Sequence, residues 1–186
     1  MLNREETLLI FGRSEYINNI SDSIPFLTEY YHTVSINSVE IPTEYVIFLD
    51  VAYPLVNRIN KGTHKVITSY NNCSYLNPKL DINYVQYQLY DPNNFEPYDK
   101  DYLRYAGFTH DLAVSWGISK GFKTIVLLGV ADFTKWHYDS RTLFKYSNRI
   151  AEQSCNFLER CQECCKIYKT NNSRLSVPII DFEKLL

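Results

Sequence analysis

The stretch Gly121-Phe122-Lys123-Thr124-Ile125-Val126-Leu127-Leu128-Gly129-Val130-Ala131-Asp132 decides the fold. Its centre, Thr124 to Leu128, is apolar or β-branched without alternation and is bracketed by glycines, so it reads as a short strand buried on both faces. Upstream, Leu103, Ala106, His110, Ala113, Val114 and Gly117 recur at intervals of three and four, which predicts a helix over 101–120 that Gly121 ends. Helix, glycine, buried strand, glycine and carboxylate make half of a βαβ unit.

Working outward, Thr7-Leu8-Leu9-Ile10-Phe11 is a second buried run that stops at Gly12. It predicts a strand, a tight turn and a helix opened by Ser14 as N-cap. Further strands are expected over 33–36, 45–49, 65–68 and 84–89, with helices over 24–31 and 54–59 between them. A final helix over 147–165 leads to Lys166-Ile167-Tyr168-Lys169-Thr170, while 71–82 and 91–101 read as surface loops. Unalternated apolar runs separated by helices predict an α/β fold: one Rossmann-like domain spanning 1–186, its mostly parallel sheet covered by helices on both faces.

The 186 residues are 45% hydrophobic and 22% charged, a globular composition with no apolar run long enough to span a bilayer. Met1-Leu2-Asn3-Arg4-Glu5-Glu6 has no apolar segment before a cleavage site, and four of five cysteines crowd between Cys155 and Cys165, so the cytoplasm is the expected compartment. Charge is graded: residues 1–60 hold 3 Lys+Arg against 8 Asp+Glu, whereas residues 117–186 hold 11 against 7. That excess is too small for a duplex nucleic-acid footprint and suits one phosphate-bearing small molecule. The composition leaves room for a homo-oligomer.

Open α/β sheets bind ligands beyond the carboxyl ends of their strands, where loops diverge and helix N-termini point outward. The residues just past each expected strand are therefore the candidates: Gly12, Arg13 and Ser14; Asn37 and Ser38; Asp50; Ser69 and Tyr70; Gly129 and Asp132; and Asn171, Asn172 and Ser173. Gly12-Arg13-Ser14 fits neither GxGxxG nor GxxxxGK[ST], which disfavours a dinucleotide or a P-loop triphosphate. Two readings of that turn stay open: Ser14 merely caps a helix, or the turn holds one phosphate or ribose with Arg13 adding charge. Cys161, Cys164 and Cys165 continue the apolar stripe of Phe157 and Leu158 on the final helix, and no second pair or nearby histidine completes a zinc site, so no metal is expected. His110 reads as an interior residue of the helix on the sheet. His137, in Thr134-Lys135-Trp136-His137-Tyr138-Asp139, lies on the crevice side as either an exposed histidine or a general base.

Leu9-Ile10-Phe11-Gly12-Arg13-Ser14, Ser35-Ile36-Asn37, Asp50, the run from Ala113 to Phe133 and Ile167-Tyr168-Lys169-Thr170-Asn171-Asn172-Ser173-Arg174-Leu175 together, in that order, resemble a superfamily of Rossmann-like enzymes. Its members are the bacterial sialyltransferases that use CMP-sialic acid, the MptE-like hydroxymethylpterin pyrophosphokinases and the motility-associated glycosyltransferases. The resemblance implies a metal-independent, nucleotide-sugar-dependent glycosyltransferase with a CMP-linked ligand favoured. It places the nucleotide against Gly12, Arg13, Ser14, Asn37, Asp50, Thr109, Gly129, Asp132, Asn172 and Ser173, beside a short lid at 133–147. It also implies that Tyr138 and Tyr146 contact the departing phosphate. The family's histidine has no counterpart in Phe144-Lys145-Tyr146-Ser147-Asn148, so His137 would serve as base, and the family's GxGPS turn is reduced to Gly-Arg-Ser. The pyrophosphokinase alternative would use magnesium on Asp50 and Asp132, and a further alternative is nucleotide binding without turnover.

Overall fold

The computed structural model describes residues 2–38, 40–62, 64–99, 101–130, 148–171 and 173–186. Strands β1 (Thr7–Phe11), β2 (His32–Ile36), β3 (Tyr45–Ile47), β4 (Lys65–Ser69), β5 (Ile82–Val85), β8 (Thr124–Leu128) and β9 (Lys166–Lys169) form a seven-stranded sheet in the order β5-β4-β3-β2-β1-β8-β9. Every neighbouring pair is parallel. β1 lies between β2 and β8, so the chain order reverses there and the carboxyl ends of β1 and β8 flank the topological switch point.

The unalternated runs are explained by two buried faces. Leu8 and Ile10 of β1, with Ile125 and Leu127 of β8, pack with Leu112, Val114 and Trp116 of α4 (Thr109–Ser119) and with Phe157 and Leu158 of α5 (Asn148–Cys161). Leu9, Phe11, Val126 and Leu128 face the other way, onto Ile17 of α1 (Tyr16–Asn19) and Leu27 of α2 (Ile24–Tyr30). On that same side Val46 and Val66 pack on Val56 and Ile59 of α3 (Tyr53–Ile59), while Ile47 and Ile67 belong to the α4 side. The result is the expected Rossmann-like α/β architecture with helices on both faces. No helix of the described residues is long and apolar enough to cross a membrane.

Four local expectations need correction. The helix read over 101–120 begins only at Thr109; Leu103–Tyr105 is strand β7, paired in parallel with β6 (Tyr87–Leu89) in a separate two-stranded sheet. The cause is local capping. Asp99 Oδ1 accepts from the backbone N–H of Asp101 and Tyr102, and Asp111 Oδ2 accepts from Ala106 and Phe108, so those N–H groups are bound before a helix can claim them. The strand expected over 84–89 is split at Gln86, whose carbonyl accepts from Leu103 N–H as β6 leaves the main sheet. A 3-10 stretch, Tyr70–Tyr75, replaces part of the expected loop 71–82. The final helix stops at Cys161, leaving Cys164 exposed rather than on the buried stripe, while Cys161 and Cys165 are buried.

Candidate functional site

Strand register brings the carboxyl ends into one line. Phe11 pairs with Ser35 of β2 and Leu128 of β8, and Leu127 pairs with Lys169 of β9, so Gly12, Asn37, Gly129 and Thr170 leave the sheet along the same rim. At its centre the two glycine turns are stapled together. Gly12 N–H donates to Leu128 O at 2.8 Å and Ser14 N–H to Gly129 O at 3.0 Å. A Cβ on Gly12 would stand 2.2 Å from Gly129 O and 2.8 Å from Val130 Cα, so this position admits glycine because two backbones meet there. Gly129 adopts φ +62, and a Cβ on it would meet the Ile17 side chain at 2.8 Å.

Ser14 does not cap a helix as expected: α1 is a single turn whose N-cap is Glu15, without a side-chain cap bond. Its hydroxyl is instead buried against Gly129, with no hydrogen-bond partner among the described residues. Arg13 beside it is half-buried. At the end of β2, Asn37 takes φ +53, its N–H donates to Ile47 O at 2.9 Å, and its Nδ2 reaches Thr109 Oγ1 at 3.4 Å. The turn is braced by Ser35 Oγ donating to Ser38 O at 2.7 Å. Asn37 Oδ1 is buried and unpartnered. Thr109 is the first residue of α4, so this contact draws a helix N-terminus to the rim.

A cluster that the sequence reading did not foresee fixes that N-terminus. Asp111, fully buried, holds Ala106 N–H and Phe108 N–H on Oδ2 and accepts from Ser154 Oγ of α5 at 2.6 Å on Oδ1. His110 Nε2 lies 3.0 Å from Ser154 Oγ and 3.2 Å from Asp111 Oδ1. Because the serine proton goes to Asp111, His110 Nε2 is the donor to Ser154 Oγ. Burial pushes His110 below its ordinary pKa, with the Asp111 charge opposing. Despite its Ser, His and Asp composition, the cluster ties α4 to α5 inside the protein, in keeping with His110 as an interior residue. Asp111 at the third helical position was the available sequence signal.

Past β9, the Thr170 Oγ1, Asn171 Oδ1 and Ser173 Oγ atoms are also buried and without partners. Six buried side-chain oxygens lack a partner among the described residues, and five of them sit at the carboxyl ends of β1, β2 and β9. The sixth, the Tyr31 hydroxyl, precedes β2. Asp50 is exposed, and its charge helps raise the Tyr105 phenol, after burial and Tyr87. Among the described residues no group of His, Cys, Asp and Glu could hold a metal ion. His137, Tyr138, Tyr146, Asp132 and Asn172 lie outside the described residues; of the rest, Gly12 and Ser14 meet Gly129 at the glycine turns, Asn37 meets Thr109, and Arg13 and Ser173 follow β1 and β9 on the same rim.

Fold and rim together define a doubly wound parallel α/β protein whose unsatisfied polar atoms gather at the strand carboxyl ends. Among solved structures, the MAf glycosyltransferase from Magnetospirillum magneticum AMB-1 shares this fold with a TM-score of 0.63 and 12% identity, over 95% of this chain and 33% of that one. The chain thus spans about a third of the length of its structural relative. No protein-family model and no curated protein matches the sequence.

Proposed function

We propose that this chain binds a nucleotide or nucleotide-linked sugar along its carboxyl rim and acts as a metal-independent, sialyltransferase-type glycosyltransferase. The observation that carries the reading is the gathering of five unpartnered buried oxygens, from Ser14, Asn37, Thr170, Asn171 and Ser173, at one edge of the sheet. Each such atom costs about 1–3 kcal/mol unless something completes its hydrogen bonding. The amide oxygens suit ribose hydroxyls or an exocyclic amine, and the three hydroxyls suit a ribose or a phosphate. A shared fold with a glycosyltransferase supports glycosyl transfer as the chemistry.

In this reading Arg13, Tyr138 and Tyr146 stabilise the phosphate as it departs, an electrostatic contribution of the oxyanion type, and His137 takes the acceptor proton. The test is a melting-temperature titration with cytidine, CMP, UMP and CMP-sialic acid, each with and without magnesium, followed by donor turnover. CMP and its sugar conjugate are expected to raise the melting temperature, with turnover unaffected by a chelator. No shift with any nucleotide refutes the reading. Activity abolished by a chelator transfers it to pyrophosphoryl transfer with Asp50 and Asp132 as ligands, and a donor left intact while bound makes the chain a binding protein. Unchanged turnover in a His137→Ala, Tyr138→Phe double variant removes those two residues from the mechanism.

A further inference from the structure

Lys169 is the last residue of β9 and occupies a position that the strand pattern reserves for an aliphatic side chain. Its register partner is Leu127, and Ile167, two residues earlier on the same face, belongs to the core under α4 and α5. Yet Lys169 exposes only 7% of its surface. Its ammonium bends up to the rim, donating to Ser173 O and Leu175 O at 2.7 Å each. Nearby, Cys155 Sγ of α5 donates to Arg174 O at 3.4 Å. Two carbonyls take two of the three N–H donors, and among the described residues no carboxylate pairs with the charge.

A buried ammonium held only by neutral carbonyls is an electrostatic imbalance, since burial without a counter-charge disfavours the charged form. The loop it clamps is the one that carries the unpartnered Thr170, Asn171 and Ser173 oxygens, and Ser173 itself is 93% buried. Ser173, whose carbonyl the ammonium grips, thus carries an unpartnered buried hydroxyl beside an uncompensated positive charge. We infer that the end of β9 is an anion site for a phosphate-bearing ligand, in which Ser173 donates to a phosphate oxygen and Lys169 supplies the charge beside it. The inference rests on the rim being a ligand crevice, but not on the ligand being a nucleotide. Burial lowers the Lys169 pKa, with the Cys155 thiol opposing.

The experiment uses the full chain at constant ionic strength, with inorganic phosphate and pyrophosphate as probes and melting temperature and calorimetry as readouts. Pyrophosphate is expected to stabilise the wild type, and Lys169→Met to weaken its binding roughly tenfold or more. Methionine fills the same slot without a charge to desolvate, so the variant is expected to fold. If it does not, Ser173→Ala decides, and loss of the pyrophosphate shift in that variant upholds the site. A wild type indifferent to both anions, or a variant that keeps wild-type affinity for pyrophosphate, overturns the inference. Cytidine and CMP separate it from the nucleotide reading. If pyrophosphate binds and neither of these does, the nucleotide reading fails and the anion site stands. If Lys169→Met weakens CMP and cytidine equally, Lys169 only orders the loop and the anion site falls.

Discussion

The two edges of the sheet are built by opposite rules. At the amino edge charges and backbone are matched: Glu44 accepts from Lys65 Nζ at 3.0 Å and lies 3.1 Å from His32 Nδ1, while its own N–H donates to Thr33 Oγ1. There the entries to β1, β8 and β9 are zipped by Lys123 N–H to Glu6 O and Lys166 N–H to Lys123 O, both at 2.9 Å. At the carboxyl edge, left-handed backbone at Asn37 and Gly129 and five unsatisfied oxygens persist side by side. Unmet hydrogen bonding clusters at the carboxyl edge, whereas at the opposite edge among the described residues only the Tyr31 hydroxyl is buried without a partner.

The sharpest way to break this contrast is at the glycine staple. Gly12→Ala is expected to destabilise the protein by about 2–3 kcal/mol, because the new methyl meets backbone that cannot rotate away. Urea unfolding measures it, and a variant as stable as wild type would show that the two turns are not locked. Next in size, Asn37→Gly keeps the left-handed backbone and removes only the amide. CMP affinity is expected to fall about tenfold, the loss of one hydrogen bond to ligand, with unfolding free energy changed by less than about 1 kcal/mol. An equal loss of stability would make Asn37 a structural residue and erase the distinction between the edges.

Glu44 provides the smallest and complementary effect. Burial alone would raise its carboxyl, but hydrogen bonds from His32 and Lys65 outweigh that and hold it below the ordinary 4.5. A depressed carboxylate contributes stability that is present above its unfolded pKa and lost as pH falls through the folded one. Glu44→Gln is therefore expected to lower the melting temperature at pH 7 by no more than about 3 °C. The gap to wild type closes as pH drops below 4.5, and CMP affinity is untouched. A change in affinity would mean that the amino edge communicates with the rim.

Legibility followed the range of the forces. The strands Thr7–Phe11 and Thr124–Leu128 could be read because burial on both faces leaves a continuous apolar run that needs no distant partner to recognise. The region 101–108 was misread because Leu103 and Ala106 are buried as a helix would bury them, but by a strand and a turn whose N–H groups Asp99 and Asp111 had already taken. Ser14 had the right residue type for a cap and a different use. Lys169 gave only a faint signal, one lysine in an apolar register, because its partners are carbonyls of its own loop.

Local pattern and burial alone fix the alternation of buried strands and helices, the glycines that stop them and the polar residues waiting at the strand ends. That β1 separates β2 from β8, that Gly12 touches Gly129, and that Asn37 meets Thr109 across 72 residues of chain follow from the assembled fold. Those outcomes come from strand order and helix docking, where each contact is a choice among many partners of equal local merit, and packing of the whole core makes the selection.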